Sequence, residues 1–396
     1  MPLGATEGIV RRARRTIKGL MNFHPVGWEE VEDRGRQAVR RILEDRMRRR
    51  IRGYLEEQIS RGEHDRRNGH YSRHLLTSMG DIELTVPRTR RWSTVDVVQA
   101  YARRAPDVDR CILAGFVYGL STRKVAEALL PILGERISPS TVSRVAKVLD
   151  QAVDCFHHRP LGDHYSILQF DGVVLARKSG RGALRRPVLV ALGVRPDGRK
   201  EVIDFLMAPS ESQVAWEGFL NDLYRRGLTG EGAEMITTDG GAGLTAALSI
   251  VYPRIPAQRC WAHKARNITE KVRRADRDAV KRGLRRIYQA RNRSDALNAV
   301  IRFGARWEGM YPRAVRCLVQ DMEELLAFFY FRDPDWRRAA RTTNSIERRF
   351  REVRRRTRPM GVFSDRTSIE RILFAVFSDE NRKQGAATPF LLTQNT

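Results

Sequence analysis

A mixed α/β fold is predicted for this chain, and three observations predict it. Short apolar runs bounded by turn signals occupy residues 165–176, 187–194, 201–207, 234–238 and 255–260. A stretch of helical spacing, Gln213–Arg226, carries Trp216, Leu220 and Leu223 on one side and lies between the third and fourth runs. The resulting order, strand–strand–strand–helix–strand–helix–strand, is that of a mixed sheet covered by helices. Residues 1–60 are mostly helical in pattern, and residues 265–335 read as helices without strands.

Taken in order, residues 1–60 are rich in arginine, with one cluster at Arg11, Arg12, Arg14 and Arg15 and another at Arg46, Arg48, Arg49, Arg50 and Arg52. A charge run is ordinarily a solvated helix face. The second cluster has few neighbouring acids (Glu44, Asp45, Glu56 and Glu57), which also suits an arm that tracks phosphates. Ile82, Leu84 and Val86 alternate with polar residues, predicting a short strand ended by Pro87. Residues 121–152 have the pattern of a helix-turn-helix. Ser121 or Thr122 caps a helix with Val125, Leu129 and Leu133 on its apolar face, and Gly134 stops it. Ser138 then sits at an N-cap with Pro139 at the first helical position. The second helix would bury Val142, Val145, Ala146 and Leu149 and expose Ser140, Thr141, Ser143, Arg144 and Lys147. A recognition helix offers its N-terminal residues to base edges in this way, although a plain helical hairpin has the same pattern. Pro-Asp-Gly at 196–198 predicts a hairpin turn between the second and third runs. A final helical segment starts near Asn344, and residues 385–396 read as a loose tail.

The chain has 396 residues, enough for two or three domains. Charged residues make up 30% and apolar ones 41%, which excludes a disordered chain. Lysine and arginine number 73 against 47 acids, a net charge of +26 that favours a polyanionic partner, DNA above all. There is no run of 18 apolar residues to span a membrane and no apolar region of a secretory signal, so a cytoplasmic, nucleoid-associated protein is expected. Cys111, Cys155, Cys260 and Cys317 are too scattered for a disulfide framework. Cys260 and His263 form a C-x-x-H pair, half of a zinc site at most.

Three acids stand in telling places. Asp171 ends an apolar run in Ser-Ile-Leu-Gln-Phe-Asp-Gly, and Asp239 ends another in Met-Ile-Thr-Thr-Asp-Gly. Glu347 lies near the start of an arginine-loaded helix. Each has an ordinary alternative. Asp171 could belong to an Asp-Gly turn, and Glu347 could complete a capping box with Asn344 as N-cap. The glycines after Asp239 lack the Lys-Ser/Thr of a nucleotide-binding loop. Together, two strand-end aspartates and a helix-borne glutamate can converge on a pair of divalent metals that clamp both oxygens of an in-line displacement at phosphorus. In the helix of Glu347, the residues Ile346, Phe350 and Val353 would face the core, and seven arginines lie between 348 and 358 against one further acid, Glu352.

These motifs in combination resemble the Mutator-like transposases of bacterial insertion sequences, a branch of the DDE transposases. The resemblance spans roughly residues 70–380 and runs through several segments. Phe170-Asp171-Gly172 and Thr238-Asp239-Gly240 match the first two catalytic segments, 68 residues apart (239 − 171). Pro-Asp-Gly-Arg-Lys-Glu at 196–201, Glu211-Ser212 and Trp216 match the strands and helix between them. Gln258-Arg259-Cys260-Trp261-Ala262-His263-Lys264 is similar to the family's C-x-x-H segment, and Thr343-Asn344-Ser345-Ile346-Glu347-Arg348 to its last segment, 108 residues beyond Asp239 (347 − 239).

The resemblance implies an RNase H-like core interrupted by an all-helical insertion. The expected divisions are a basic N-terminal region at 1–105, a helix-turn-helix domain at 106–158, the first part of the core at 159–264, the insertion at 265–338, the final core helices at 339–384 and the tail. It further implies two Mg²⁺ ions, replaceable by Mn²⁺, on Asp171, Asp239 and Glu347, with Asp171 bridging them. The expected reaction is cleavage at transposon ends and joining of the 3′-hydroxyl to target DNA, by a homodimer or higher oligomer assembled on double-stranded DNA. Ser140, Thr141, Arg144 and Lys147 are candidates for end recognition. Lys264, Arg266, Arg348, Arg351, Arg354, Arg355 and Arg358 are candidates for phosphate contacts. Cys260 and His263 would brace the join between sheet and insertion, with Trp261 either stacking on an unpaired base or simply part of the core. Two rival readings are a DNA-binding regulator without catalysis and an RNase H-like nuclease without strand transfer.

Overall fold

The computed structural model describes residues 28–94, 97, 104–133, 137–179, 182–360 and 366–385. The arginine cluster at 11–15, the turn at Gly134 and the tail beyond 385 lie outside the described residues. Two compact units are formed, one from residues 1–116 and 122–145, the other from 117–121 and 146–396.

In the first unit a long helix α1 (Trp28–Ser60) lies on an antiparallel hairpin, β1 (Arg67–Thr77) and β2 (Gly80–Thr89). Ile82, Leu84 and Val86 alternate along β2 and meet Met47 of α1 and Leu75 of β1 in one buried cluster, as period-2 patterning requires. Contrary to expectation, Pro87 does not end the strand: it pairs with His70 inside the hairpin. A two-stranded ribbon leaves each strand a free edge, where a residue lacking an N–H is tolerated. The arginines at 46, 48, 49, 50 and 52 are exposed on α1.

Helices α2 (Pro106–Val117), α3 (Thr122–Leu133), α4 (Pro139–Ala146) and α5 (Val148–His158) follow. This helical segment is divided between the units, with α3 and nearly all of α2 and α4 in the first and α5 in the second. The predicted cap is present: the Ser138 hydroxyl accepts from the Thr141 N–H at 3.1 Å. Val142, Val145 and Ala146 are buried, while Ser140, Ser143, Arg144 and Lys147 are exposed and Thr141 is half-buried. Helix α4 stops at Lys147, before α5 begins.

The second unit is built on a five-stranded mixed sheet, β3 (Ile167–Ser179), β4 (Gly182–Val194), β5 (Lys200–Met207), β6 (Met235–Thr238) and β7 (Ala257–Arg259), in the order β5-β4-β3-β6-β7. Strands β3, β4 and β5 are antiparallel neighbours; β6 joins β3 in parallel, and β7 joins β6 in parallel. The turn at 195–199 closes β4 onto β5 as predicted, with Gly198 at φ +80° and its N–H on the Arg195 carbonyl. On one face, helices α6 (Gln213–Arg225) and α7 (Ala242–Val251) bury Trp216, Leu220, Leu223 and Leu248 against Leu168, Phe170 and Ile236. Helices α14 (Asn344–Met360) and α15 (Arg366–Lys383) pack through Phe350, Phe377 and Phe205, and Asn381 bonds both the N–H and carbonyl of Val202. Between β7 and α14 run α8 (Trp261–Glu270), α9 (Arg277–Tyr288), α10 (Arg293–Trp307), α11 (Pro312–Val319), α12 (Met322–Leu326) and α13 (Pro334–Ala340).

Candidate active site

The register of two parallel strands brings the aspartates together. Ile167–Phe170 of β3 pairs with Met235–Thr238 of β6, so Asp171 and Asp239 are the next residues on adjacent strands. Neighbouring strands lie about 4.8 Å apart. Asp171 does not end its strand, as the apolar run suggested; β3 continues to Ser179 as a ribbon with β4. What ends at Phe170 is the parallel partner, because β6 is only four residues long.

Asp171 is 2% exposed, and its Oδ2 has no hydrogen-bond partner among the described residues. Burial pushes its carboxyl up to about 7, with Asp239 and Glu347 adding to the rise and His263 and the Thr343 hydroxyl opposing it. Asp239 Oδ1 accepts the Gly241 N–H at 2.9 Å, an Asx turn that leads into α7. Gly240 at φ +82° makes that turn, and its carbonyl accepts from Arg259 at 3.2 Å.

Glu347 reaches the same place because the segment before α14 is stitched to the sheet. Gln169 of β3 donates to the carbonyls of Ala339 and Thr342, and the Thr237 hydroxyl of β6 to that of Ala340. Helix α14 begins at Asn344, with the Thr343 carbonyl accepting the N–H groups of Ile346 and Glu347. Asn344 is thus the first helical residue rather than the cap, and Glu347 turns away from a capping box. Its Oε1 lies 3.2 Å from an Arg266 guanidinium nitrogen and 3.7 Å from His263 Nε2. Contact with the Cys260 thiol raises His263 to about 9, aided by Asp171 and Asp239 and opposed by burial. The neighbouring aspartates thus favour the protonated imidazole.

The C-x-x-H segment sits where strands, insertion and α14 meet. The Cys260 N–H donates to the Thr238 carbonyl, and the Cys260 sulfur accepts from the Thr343 N–H at 3.3 Å. One open reading is decided and one expectation is corrected here. Trp261 is 1% exposed, with its Nε1–H on the Leu325 carbonyl at 2.7 Å and its ring beside Tyr288. It belongs to the core and presents no face to a base. Lys264 is 4% exposed and ion-paired with Asp321, so its ammonium is not offered to a phosphate. Arg266 is exposed but engaged with Glu347. On α14, Arg348, Arg351, Arg354, Arg355 and Arg358 are exposed, whereas Arg349 and Arg356 are buried, so five of the seven arginines remain for a charged stripe.

A fourth carboxylate, Glu211, to which the sequence assigned no site role, stands beside the two aspartates. A Cβ added at Gly172 would come within 2.7 Å of the Glu211 carboxylate carbon, and burial, then Asp239, raise Glu211 above the usual range. Its sequence signals were the Glu211-Ser212 match and its place directly before the N-cap, Ser212, of the helix that follows β5; neither pointed to the acidic site.

The donors suit a hard divalent cation, and the orphaned Asp171 oxygen is what such an ion would satisfy. As they stand, no three Asp, Glu, His or Cys side chains among the described residues are gathered tightly enough to hold one. Glu347 is instead turned to Arg266 and His263. No described helix is long and apolar enough to cross a membrane.

The profile of the family described as Transposase, Mutator family, matches residues 27–385. The chain is similar to the transposase for insertion sequence element ISRM5 of Rhizobium meliloti, 31% identical over 95% of this chain and 93% of that one. It is similar also to the transposases for IS905 of Lactococcus lactis (32%, covering 80% of both chains) and IS1201 of Lactobacillus helveticus (31%, covering 85% and 90%).

Proposed function

The chain belongs to the Mutator family of transposases, and from that premise we propose that it binds insertion-sequence ends, cleaves DNA there and joins the 3′-hydroxyl to target DNA. The observation that carries this reading is the pairing register that sets Asp171 beside Asp239, with Glu347 delivered to them by α14. The strand order, three antiparallel strands extended by two parallel ones with acids where β3 leaves β6, supports an RNase H-like core.

Asp171, Asp239 and Glu347 would hold two Mg²⁺ ions, with Mn²⁺ able to replace them, and Glu211 stands close enough to share the load. When bound, such ions activate the attacking oxygen and stabilise the leaving one. His263 and Arg266 engage Glu347 in the present arrangement, so Glu347 would have to leave them to serve as a metal ligand. Arg266 would then be free for a phosphate. The exposed arginines of α14 continue from Glu347 and supply a track for the strand being cut. The Ser138-capped α4, with Ser140, Ser143 and Arg144 outward, supports a recognition role for a helix-turn-helix at the ends.

The test is incubation of pre-cut end duplex with supercoiled plasmid and Mg²⁺. Covalently joined product is the expected result. Nicking without joining would favour a nuclease, and specific binding with neither would favour a regulator.

A further inference from the structure

Helices α9 and α10 form a hairpin in the helical insertion and carry none of the three acids or the C-x-x-H residues. Their interface opens as a cleft of about 100 Å³ lined by Arg282, Arg286, Arg302 and Arg306. The four guanidiniums form two i,i+4 pairs, one on each helix, spaced about 6 Å along each axis by the helical rise. All four residues are exposed, and no acid among the described residues lines the cleft. The chain from 277 to 307 holds nine cations against two acids, Asp278 and Asp295.

The floor is apolar. Phe303 and Trp307 are buried beneath the rim, and Gly283 lets the Phe303 ring approach, since a Cβ there would lie 2.9 Å from it. Arg306 rests over the Trp307 ring at 5.0 Å. Trp307 packs beside Tyr311, whose hydroxyl donates to Asp276 at the entry to α9. Four like charges held together without counter-ions cost free energy, which a polyanion would recover. A phosphodiester backbone matches a narrow rim of bidentate donors, and a guanidinium is suited to it.

We propose that this cleft is a DNA-backbone site of the insertion, separate from the acidic centre, that grips the phosphates of a duplex without reading sequence. The proposal needs DNA as partner but no catalysis, so it is tested in EDTA. A random-sequence duplex is titrated over a salt series with the full chain and with a variant carrying Arg282→Gln, Arg286→Gln, Arg302→Gln and Arg306→Gln. A control of equal charge change carries Lys281→Gln, Arg285→Gln, Arg313→Gln and Arg316→Gln. The cleft variant should bind at least about tenfold more weakly, with a slope of log K against log salt shallower by about two to four. The control should lose less, and lysine at the four cleft positions should restore the slope. Equal losses in both glutamine variants, or none in the first, would overturn the proposal. A second measurement needs only wild-type protein: modification of arginines by phenylglyoxal, read by mass spectrometry. Duplex should protect the four cleft arginines more than Arg285 and Arg313; equal modification with and without duplex would overturn the proposal even if the glutamine variant fails to fold.

Discussion

Position 261 shows how far a side chain's fate depends on what the rest of the chain does. The indole follows a strand end, where solvent and core are equally open to it in sequence. Leu325, 64 residues later, supplies the carbonyl that accepts its N–H, and Tyr288 packs against its ring. Trp261→Ala should therefore lower stability by about 3–5 kcal/mol, through lost burial and an orphaned carbonyl. Denaturant midpoints check this; an unchanged midpoint with impaired cleavage would return Trp261 to a DNA-stacking role. Lys200 carries a second residue-level prediction. Its ammonium donates to the Ser345 hydroxyl at 2.7 Å, and burial, then Arg349 and Arg348, push it down to about 8. The unfolded chain holds that proton to about 10.5, so between about 8 and 10.5 it binds more protons than the fold, and stability must rise with pH. Wild type should gain on Lys200→Met across that window, measured as the difference in unfolding free energy. A difference flat from pH 7 to 10.5 would contradict the burial of a charged Lys200.

Among the elements, α14 was the most legible. Ile346, Phe350 and Val353 recur at helical spacing and all are buried. The same periodicity could not tell which arginines stay in water. Arg349 is drawn inward to the Lys200 carbonyl and Arg356 to Glu352, partners set by the sheet and by the helix's own turn. Strand β1 escaped notice because its first residues are polar and exposed, leaving Leu75 and Leu76 too few to show alternation. Helix α4 was legible through Ser138 and Pro139, whose roles are local. If it reads base edges, Arg144→Ala should cost about 1–3 kcal/mol on the cognate end and much less on scrambled duplex. Lys147→Ala, outside the helix, should weaken both alike. Paired titrations at one salt concentration decide it; equal losses for Arg144→Ala would mean that α4 grips only backbone.

Across the whole molecule, the acidic site illustrates what motifs can and cannot carry. Asp171, Asp239 and Glu347 were legible because each closes a recognisable local pattern. Their convergence is a property of topology: the parallel β3–β6 register and the stitches from Gln169 and Thr237 to residues 339–342. The place of Glu211 at the site was illegible because its approach to Gly172 joins a loop to a strand about 40 residues away in sequence (211 − 172 = 39). The cationic guard of Glu347 by His263 and Arg266 likewise comes from a helix 81 residues earlier, counted from Arg266. The central claim is that the three acids do chemistry while arginines supply affinity. It is tested most directly by assaying Mg²⁺-dependent cleavage and metal-free end binding side by side for Asp171→Ala, Asp239→Ala and Glu347→Gln. The account predicts that each loses cleavage and keeps end binding; robust cleavage by Glu347→Gln would contradict it.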